Sequence, residues 1–293
     1  MRGRLPPWFK QKLADPGVMS SMQGLLDGLK LHTICQSALC PNIHRCFTAG
    51  TATFLILGDV CSRRCTFCAV KKGRPSPVDG AEPEHLLQAV QKLGLRYVVI
   101  TSVTRDDLPD GGAAQFARTV TLLRENVADI MVEVLVPDFL GSKEAIRAVV
   151  ESGPQVINHN VETVPRLYAE VRPGADYSRS LGLLYTVKKM APATVTKSGL
   201  MLGLGESREE VIELMNDLRE ADCDLLTIGQ YLQPSARHHP VVRFIPPEEF
   251  AEYENTGREM GFAGVAASPL VRSSYRAAEL YETAKSRKNA LPS

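Results

Sequence analysis

The sequence lacks the features of a membrane or secreted protein. None of its 293 residues lies in an apolar run that approaches the ~20 residues needed to cross a bilayer. The first residues include basic side chains but no apolar core behind them, so a secretory signal is not expected there. We therefore expect a cytoplasmic protein with no membrane partner.

The sequence also lacks an excess of charge and any low-complexity segment. Its formal net charge is only +1, so the chain as a whole has no electrostatic basis for binding nucleic acid. Hydrophobic residues make up 44% and charged residues 23%, close to the averages for globular proteins. This composition excludes a disordered chain, a collagen-like repeat and a coiled coil. An enzyme with a large core is expected, with a monomer as the default.

Cysteines are numerous and unevenly placed. Six of the seven lie within 34 residues, and Cys223 stands alone as a predicted buried free thiol. An odd count without a secretory signal argues against a disulfide framework, because reducing compartments keep thiols free. Thiols so close in sequence would cross-link or oxidise unless something held them. Metal binding is the simplest interpretation.

From Thr51 onward, short apolar runs alternate with longer segments of helical period. This alternation predicts βα units and a parallel sheet, after an N-terminal segment with a helix around Ser20–Lys30. The predicted strands are Thr53–Leu57, Tyr97–Thr101, Met131–Val136, Gln155–Asn158, Val195–Leu202, Asp224–Ile228 and a weaker Ala263–Ala267. The predicted helices are Pro83–Leu93, Ala113–Asn126, Lys143–Glu151, Arg179–Met190, Arg208–Glu220 and Pro247–Met260.

The number of βα units limits the architecture. Six units in about 215 residues are too few for a full barrel of eight. A partial (β/α)6 TIM-like barrel and an open doubly wound sheet both fit. In either fold, ligands bind beyond the carboxyl ends of the strands, where this sequence is polar, so one site is expected there. The last residues, Lys285–Ser293, are predicted to fray.

The second cysteine group, Cys61, Cys65 and Cys68, follows the first predicted strand with C-x3-C-x2-C spacing. Three thiolates on one loop can hold three irons of a [4Fe–4S] cluster and leave the fourth iron open. That iron can chelate S-adenosylmethionine (SAM), whose reductive cleavage gives a 5′-deoxyadenosyl radical. A zinc site is the alternative, but a structural zinc takes four ligands and this loop offers three. The spacing and Phe67 resemble the radical SAM superfamily, whose usual fold is the partial (β/α)6 barrel.

The first cysteine group, Cys35, Cys40 and Cys46, has C-x4-C-x5-C spacing and also offers three thiols. A zinc site completed by His44 is the alternative to a second cluster. The two groups together are similar to those of the lipoyl synthase family. The resemblance extends to segments across nearly the whole chain: Phe54–Asp59, Thr101–Gly112, Asn158–Thr163, Val171–Pro173, Lys197–Glu206, Gly229–Ser235 and Val271–Ala277.

The resemblance implies a sulfurtransferase. Members of that family insert two sulfur atoms at C6 and C8 of an octanoyl chain carried on a protein lysine, and they cleave two SAM molecules. It implies two [4Fe–4S] clusters, one catalytic on Cys61, Cys65 and Cys68, and one auxiliary that donates sulfur. The implied ligands of the auxiliary cluster are Cys35, Cys40, Cys46 and a serine of the R-S-S-Y motif, assigned to Ser274 with Ser273 as the alternative.

The resemblance also implies a division of the chain and a set of partners. Residues 1–50 would carry the auxiliary cluster, residues 51–270 the radical SAM barrel, and residues 271–293 the R-S-S-Y motif. The implied partners are an octanoylated lipoyl domain of a 2-oxoacid dehydrogenase or the glycine cleavage H protein, an electron donor such as ferredoxin or flavodoxin, and a cluster-repair protein. No nucleic acid is expected.

Positions at strand ends supply candidates for contacts with SAM. These are Thr101, Ser102, Asn158 and Glu162, with Arg172 as a partner for a carboxylate. For each, an ordinary loop hydrogen bond or helix cap is the alternative. A basic patch is also predicted beside the catalytic loop, either to attract an acidic carrier domain or as an ordinary solvated face. It comprises Arg63, Arg64, Lys71, Lys72 and Arg74.

Two other functions stay open at this point. Another radical SAM enzyme would use the auxiliary cluster only to relay electrons, and that cluster would survive turnover. A non-catalytic iron–sulfur electron carrier would need neither an open iron nor a binding cavity. Formation of 5′-deoxyadenosine after reduction would exclude the electron carrier, and consumption of the auxiliary cluster would exclude the relay.

Overall fold

The fold is an α/β barrel that remains open, with an N-terminal helical extension. The computed structural model describes residues 5–290, with side chains as far as residue 286. Its strands are β1 His32–Thr33, β2 Thr53–Ile56, β3 Val60–Cys61, β4 Lys71–Lys72, β5 Tyr97–Ser102, β6 Met131–Leu135, β7 Val156–Asn158, β8 Val195–Leu202, β9 Leu225–Gln230 and β10 Gly264–Ala267.

Helices alternate with most of the strands, and further helices lie before β2 and after β10. They are α1 Pro16–Gly28, α2 Ile34–Ser37, α3 Ile43–Thr48, α4 Glu82–Leu93, α5 Ala113–Asn126, α6 Lys143–Glu151, α7 Tyr168–Val171, α8 Tyr177–Met190, α9 Arg208–Glu220, α10 Pro247–Glu259 and α11 Ala277–Ala290, with 3-10 turns at Pro7–Phe9, Phe139–Gly141 and Pro165–Leu167. No helix within residues 5–290 combines the length and apolar character required to span a membrane.

Strand order identifies the barrel. The main sheet runs β1-β2-β5-β6-β7-β8-β9-β10, and every pair from β2 to β10 is parallel, whereas β1 is antiparallel to β2. A doubly wound sheet would reverse its strand order at a switch point. Here the order follows the chain in one direction, so the prediction of a partial TIM-like barrel is confirmed and the doubly wound alternative is excluded.

Local sequence sets the helix boundaries. The α8 helix begins at Tyr177, two residues before its predicted start, because the Asp176 side chain accepts the Arg179 backbone N–H. The α9 helix begins with a capping box between Ser207 and Glu210. The α1 helix begins at Pro16 rather than Ser20, because proline is favoured at a first helical position.

The prediction of a frayed C-terminal tail is wrong for Lys285–Ala290. These residues belong to α11, while 291–293 lie outside the described residues. The helix is retained because Leu280 and Ala284 pack on Val156, Val195 and Leu225, which lie at the first positions of β7, β8 and β9. The α11 helix therefore covers the amino-terminal ends of these strands and leaves the carboxyl ends to the loops.

A buried ion pair lies inside the barrel. Lys197 Nζ on β8 donates to Glu133 Oε1 on β6 at 2.9 Å, and neither side chain is exposed to solvent. Asn158 on β7 and Tyr97 on β5 also donate to this carboxylate, at 3.1 and 2.7 Å. With three donors on one carboxylate, the buried charge of Glu133 is compensated.

Removing one member of this pair should destabilise the barrel. We expect Lys197→Met to lower the free energy of unfolding by about 3–5 kcal/mol, because Glu133 would remain buried without its cation. Adding Glu133→Gln should recover part of the loss. Urea unfolding monitored by circular dichroism would measure both, with Lys92→Met on the exposed surface of α4 as control. Equal stability of the Lys197→Met and Lys92→Met variants would contradict this account.

Candidate functional site

The polar loops at the carboxyl ends of the strands surround one cavity of about 330 Å³. The N-terminal extension and the segment after β10 contribute further walls. The predicted cluster ligands and SAM contacts that line it are Cys35, Cys40, Cys61, Cys65, Cys68, Thr101, Ser102, Glu162, Arg172, Ser273 and Ser274. Both cysteine groups, separated in the chain, therefore open onto the same space.

Arg63 anchors the catalytic loop, which we define as Cys61–Cys68. It is buried, and its guanidinium pairs with Asp106 Oδ2 at 2.7 Å and Asp138 Oδ1 at 2.5 Å. These carboxylates lie in the loops after β5 and β6. Burial would raise the pKa of Asp138, but the Arg63 guanidinium lowers it to about 2. The sequence prediction that Arg63 belongs to an exposed basic patch is wrong, since its charge is directed inward.

Three further segments hold the same loop. Ser62 Oγ donates to the Thr104 carbonyl at 2.9 Å after β5, and the Thr66 backbone N–H donates to the Val171 carbonyl at 2.9 Å in α7. From the loop after β9, His238 Nε2 contacts the Cys68 carbonyl oxygen at 3.1 Å. The catalytic loop is thus fixed by protein contacts from β5, α7 and β9 in addition to those of Arg63.

The thiols of the catalytic loop lie in a shared electrostatic environment. Burial raises the pKa of Cys68 to about 12, with smaller contributions from the nearby Cys65 and Cys61. Burial also raises the pKa of Cys65, whereas the neighbouring Arg172 lowers it. Burial therefore favours the protonated forms of Cys65 and Cys68 when no cation is bound. Their burial therefore fits a site where bound iron stabilises thiolates.

The first cysteine group is carried by two short helices. Cys35 lies in α2, Cys46 in α3, and Cys40 between them. Burial raises the pKa of Cys35 to about 12, with smaller contributions from the charges of Cys40 and Cys46. The cavity reaches Cys35 and Cys40, while Cys46 is half-buried and is not among the described cavity-lining residues.

The segment after β10 brings both serines to the cavity. The Ser273 hydroxyl donates to Asn160 Oδ1 at 2.8 Å, whereas within residues 5–290 the Ser274 hydroxyl has no hydrogen bond. Asn42 Nδ2 donates to the Leu270 carbonyl at 2.7 Å and joins this segment to the first cysteine group. Ser274 is therefore available as a ligand beside Cys35 and Cys40. His44, the alternative, has an unpartnered buried Nδ1 but does not line the cavity.

The donor sets fit clusters of several irons. All seven cysteines are free, and among the described side chains no three His, Cys, Asp or Glu residues converge closely enough to share one metal ion. A [4Fe–4S] cluster distributes its thiolates over separate irons, so its ligands need not meet at one point. Three thiols in each group supply such a cluster and leave one iron for another ligand.

Unpartnered polar atoms mark where a cofactor would bind beside the catalytic loop. The Ser102 hydroxyl and Arg172 Nε are buried without hydrogen-bond partners and belong to cavity-lining residues. Glu162 lies close to Arg172, with burial raising its pKa and a left-handed φ of 65°. Such strain in a non-glycine residue is frequent at functional sites. The Thr101 hydroxyl, by contrast, already donates to the Leu135 carbonyl at 2.9 Å.

Asn158 and Asn160 occupy different depths in the barrel. Asn158 donates to Glu133 and is not among the described cavity-lining residues, although its Oδ1 is unpartnered. Inward-facing residues alternate along a strand, so the position two residues later reaches the next layer. Asn160 does line the cavity, and its Nδ2 donates to Glu162 Oε1 at 3.0 Å.

Sequence reasoning missed Asn160 and Arg272. Both lie inside segments that carry the family resemblance, but neither is of a type that marks a cofactor site by itself. Arg272 lines the cavity and lies near both the Cys40 thiol and Glu162, whose charges act on it. Only the fold, in which Ser273 of the segment after β10 contacts Asn160 of the loop after β7, shows that both residues line the same cavity.

Comparisons with known proteins find a superfamily model and relatives that cover most of the chain. The sequence model of the Radical SAM superfamily matches residues 55–218. A lipoyl synthase of Caldanaerobacter subterraneus subsp. tengcongensis is 56% identical over 94% of this chain and 97% of its own. A lipoyl synthase of Aquifex aeolicus is 57% identical over 87% of this chain and 92% of its own.

Solved structures show the same fold at low identity. HydG, a maturase of the [FeFe]-hydrogenase, aligns with a TM-score of 0.60 at 13% identity, over 78% of this chain and 53% of its own. SuiB of Streptococcus suis bound to S-adenosylmethionine aligns with a TM-score of 0.54 at 15% identity, over 70% of this chain and 45% of its own.

The Arg63 contacts predict that the catalytic loop is ordered before any metal binds. In the metal-free protein, we expect Arg63→Ala to increase amide hydrogen exchange in residues 61–68 by at least about tenfold, because Asp138 would lose its main cation. The exposed neighbour Arg64 provides a matched control, and Arg64→Ala should leave exchange unchanged. Equal exchange in the two variants would show that Arg63 does not order the loop.

Proposed function

The chain belongs to the lipoyl synthase family of the radical SAM superfamily, and on that premise we propose how its residues divide the reaction. It is a sulfurtransferase that forms the lipoyl cofactor on a protein-bound octanoyl-lysine, at C6 and C8 of the octanoyl chain. It uses SAM and two [4Fe–4S] clusters. Its substrate is an octanoylated lipoyl carrier.

We propose that Cys61, Cys65 and Cys68 hold the catalytic cluster. The bound cluster and SAM supply a 5′-deoxyadenosyl radical that abstracts hydrogen from unactivated C–H bonds. Around them, Arg63 fixes the loop, and the apolar residues Leu200 and Met201 line the cavity. These contacts support a site that excludes water from a radical.

We propose that SAM binds beside Ser102, Glu162 and Arg172. Arg172 Nε is buried without a partner, and a guanidinium suits the SAM carboxylate. The Ser102 hydroxyl is free to bond a second polar group of SAM, and the Glu162 carboxylate can accept from hydroxyl or amino groups. Thr101 lines the cavity, but its hydroxyl already donates to the Leu135 carbonyl and is not available to SAM. A contact between Asn158 and SAM stays a prediction.

We propose that Cys35, Cys40, Cys46 and Ser274 hold the auxiliary cluster, which is the sulfur donor. A serine oxygen is a harder and more readily protonated ligand than a thiolate, so Ser274 would be the most readily displaced ligand of a bound cluster. The hydroxyl of Ser274 is without a hydrogen bond in residues 5–290, while that of Ser273 is engaged by Asn160. This difference favours Ser274 over Ser273.

One observation carries the assignment: both cysteine groups line a single cavity. A radical formed at one group can then reach a chain bound beside the other. We propose that residues 1–50 form the extension with the auxiliary cluster, 51–270 the radical SAM barrel and 271–293 the segment with the serine ligand. An electron carrier would not require such a cavity, which disfavours that alternative.

We further propose the setting in which the enzyme works. Seven free thiols are maintained in a reducing compartment, which supports the cytoplasm. The carrier is a lipoyl domain of a 2-oxoacid dehydrogenase or the glycine cleavage H protein. A ferredoxin or flavodoxin supplies electrons, a cluster-repair protein restores the auxiliary cluster, and the chain acts as a monomer.

Variants of the two cysteine groups should separate SAM cleavage from sulfur insertion. We expect Cys65→Ala to abolish 5′-deoxyadenosine formation, because it removes a ligand of the catalytic cluster. Cys40→Ala should retain some SAM cleavage but form no lipoyl product. Chromatography of products after dithionite reduction would measure both, with Cys223→Ala as a control outside the cavity. Lipoyl product from the Cys40 variant would refute the sulfur-donor assignment, and survival of the auxiliary cluster through turnover would favour the relay alternative.

The exposed lysines beside the cavity should affect docking of an acidic carrier domain. Lys72 lines the cavity, whereas Lys71 Nζ is paired with Asp59 at 2.6 Å. We expect Lys72→Ala to weaken carrier binding about threefold at low salt, with a smaller effect for Lys71→Ala, whose charge is already offset. Titration calorimetry at two ionic strengths would test this, with Lys92→Ala as control. Unchanged affinity for the Lys72 variant at low salt would contradict electrostatic docking.

A further inference from the structure

The serine segment, residues 271–275, reaches the cavity by crossing closely over β9. At Gly229, an added Cβ atom would lie 2.1 Å from the Val271 carbonyl oxygen, so the two backbones approach as only glycine allows. Asn42 Nδ2 holds the preceding residue, Leu270, through its carbonyl. These contacts fix where the segment enters the site but do not orient its two serines.

The Ser273 side chain supplies the orienting contact. Its hydroxyl donates to Asn160 Oδ1 at 2.8 Å, and this is the only side-chain hydrogen bond between residues 271–275 and another element in the described part of the chain. Asn160 is itself fixed, because its Nδ2 donates to Glu162 and its backbone carbonyl accepts from Arg172 Nη1 at 3.0 Å. The acceptor for Ser273 is therefore held in one orientation.

Space for this contact depends on Gly199 in β8. A Cβ atom there would lie 2.9 Å from both Asn160 Oδ1 and Ser273 Oγ, as well as 2.6 Å from Thr227 Oγ1. Such distances are shorter than real Cβ contacts, so a side chain at this position would displace the Asn160–Ser273 pair. Gly199 of β8 and Asn160 of the loop after β7 thus form the binding position of the Ser273 hydroxyl.

We propose that Ser273 and Asn160 are positioning residues that present Ser274 to Cys35, Cys40 and Cys46. Ser274 directly follows Ser273 and lines the cavity, and its hydroxyl has no hydrogen bond within residues 5–290, so its direction follows from the position of Ser273. The inference rests on the proposed role of Ser274 as an iron ligand. Asn160 also orients Glu162, so one amide serves both the SAM side and the serine side of the cavity.

The test measures how readily one iron leaves the protein. Reconstituted full-length variants are reduced without SAM and treated with bipyridine, and the rate of iron release per chain is followed by absorbance. We expect Ser274→Ala to release one iron faster than the wild type. Ser273→Ala should also accelerate that release, by about fivefold, because a hydrogen bond that positions the ligand is lost. Ser273→Thr keeps the hydroxyl and should restore the wild-type rate.

A double variant tests whether Ser273 and Asn160 act as one unit. Asn160→Ala should accelerate iron release like Ser273→Ala, and combining the two should add nothing further. Gly199→Ala should have the same effect while removing no functional group. Additive effects of Ser273→Ala and Asn160→Ala would overturn the proposal.

The outcomes separate this inference from the ligand assignment. If Ser274→Ala accelerates release and Ser273→Ala does not, the positioning role is wrong and the ligand assignment stands. If Ser274→Ala has no effect, the ligand assignment itself fails, and the positioning role fails with it. If only Ser273→Ala accelerates release, Ser273 is the ligand and both statements are overturned.

Discussion

The site depends on one constraint, which is that parallel strands wound in a single direction place every following loop at the same end of the barrel. Cys61–Cys68, Ser102, Glu162 and Ser274 are far apart in the chain but meet there, because each follows a different strand. The opposite end is covered by α11. The ion pair of Glu133 and Lys197 lies two residues before the cavity-lining Leu135 and Gly199 on the same strands, so the charged groups beneath the cavity are paired.

The two cysteine groups are held by different physical means. The catalytic loop is fixed by buried ion pairs of Arg63 and by backbone contacts from three segments. The first group instead lies on two short helices, joined to the serine segment by the Asn42 amide. The catalytic loop, with its buried ion pairs, fits the proposed cluster that persists through turnover. For the first group, the proposed serine ligand would come from the segment that Asn42 holds.

Periodicity predicted the architecture well because buried parallel strands are continuous apolar runs; all seven predicted strands are present, with ends shifted by one or two residues. Spacing predicted two cysteine groups because a cluster requires several thiols within reach, and members of both groups line one cavity. Arg63 was misjudged because its neighbours in sequence are exposed, whereas Asp106 and Asp138 approach it only in the fold. Asn158 lies one layer below Asn160, a difference of depth that no sequence pattern records.

The central claim is that one cavity brings together two separate iron–sulfur clusters. Iron and sulfide analysis with Mössbauer spectroscopy of the anaerobically reconstituted full chain tests it most directly. The account predicts about eight irons per chain, all in [4Fe–4S] clusters, with the fourth iron of one cluster changing its signal when SAM is added. About four irons per chain, or a mononuclear metal bound at the first cysteine group, would contradict it.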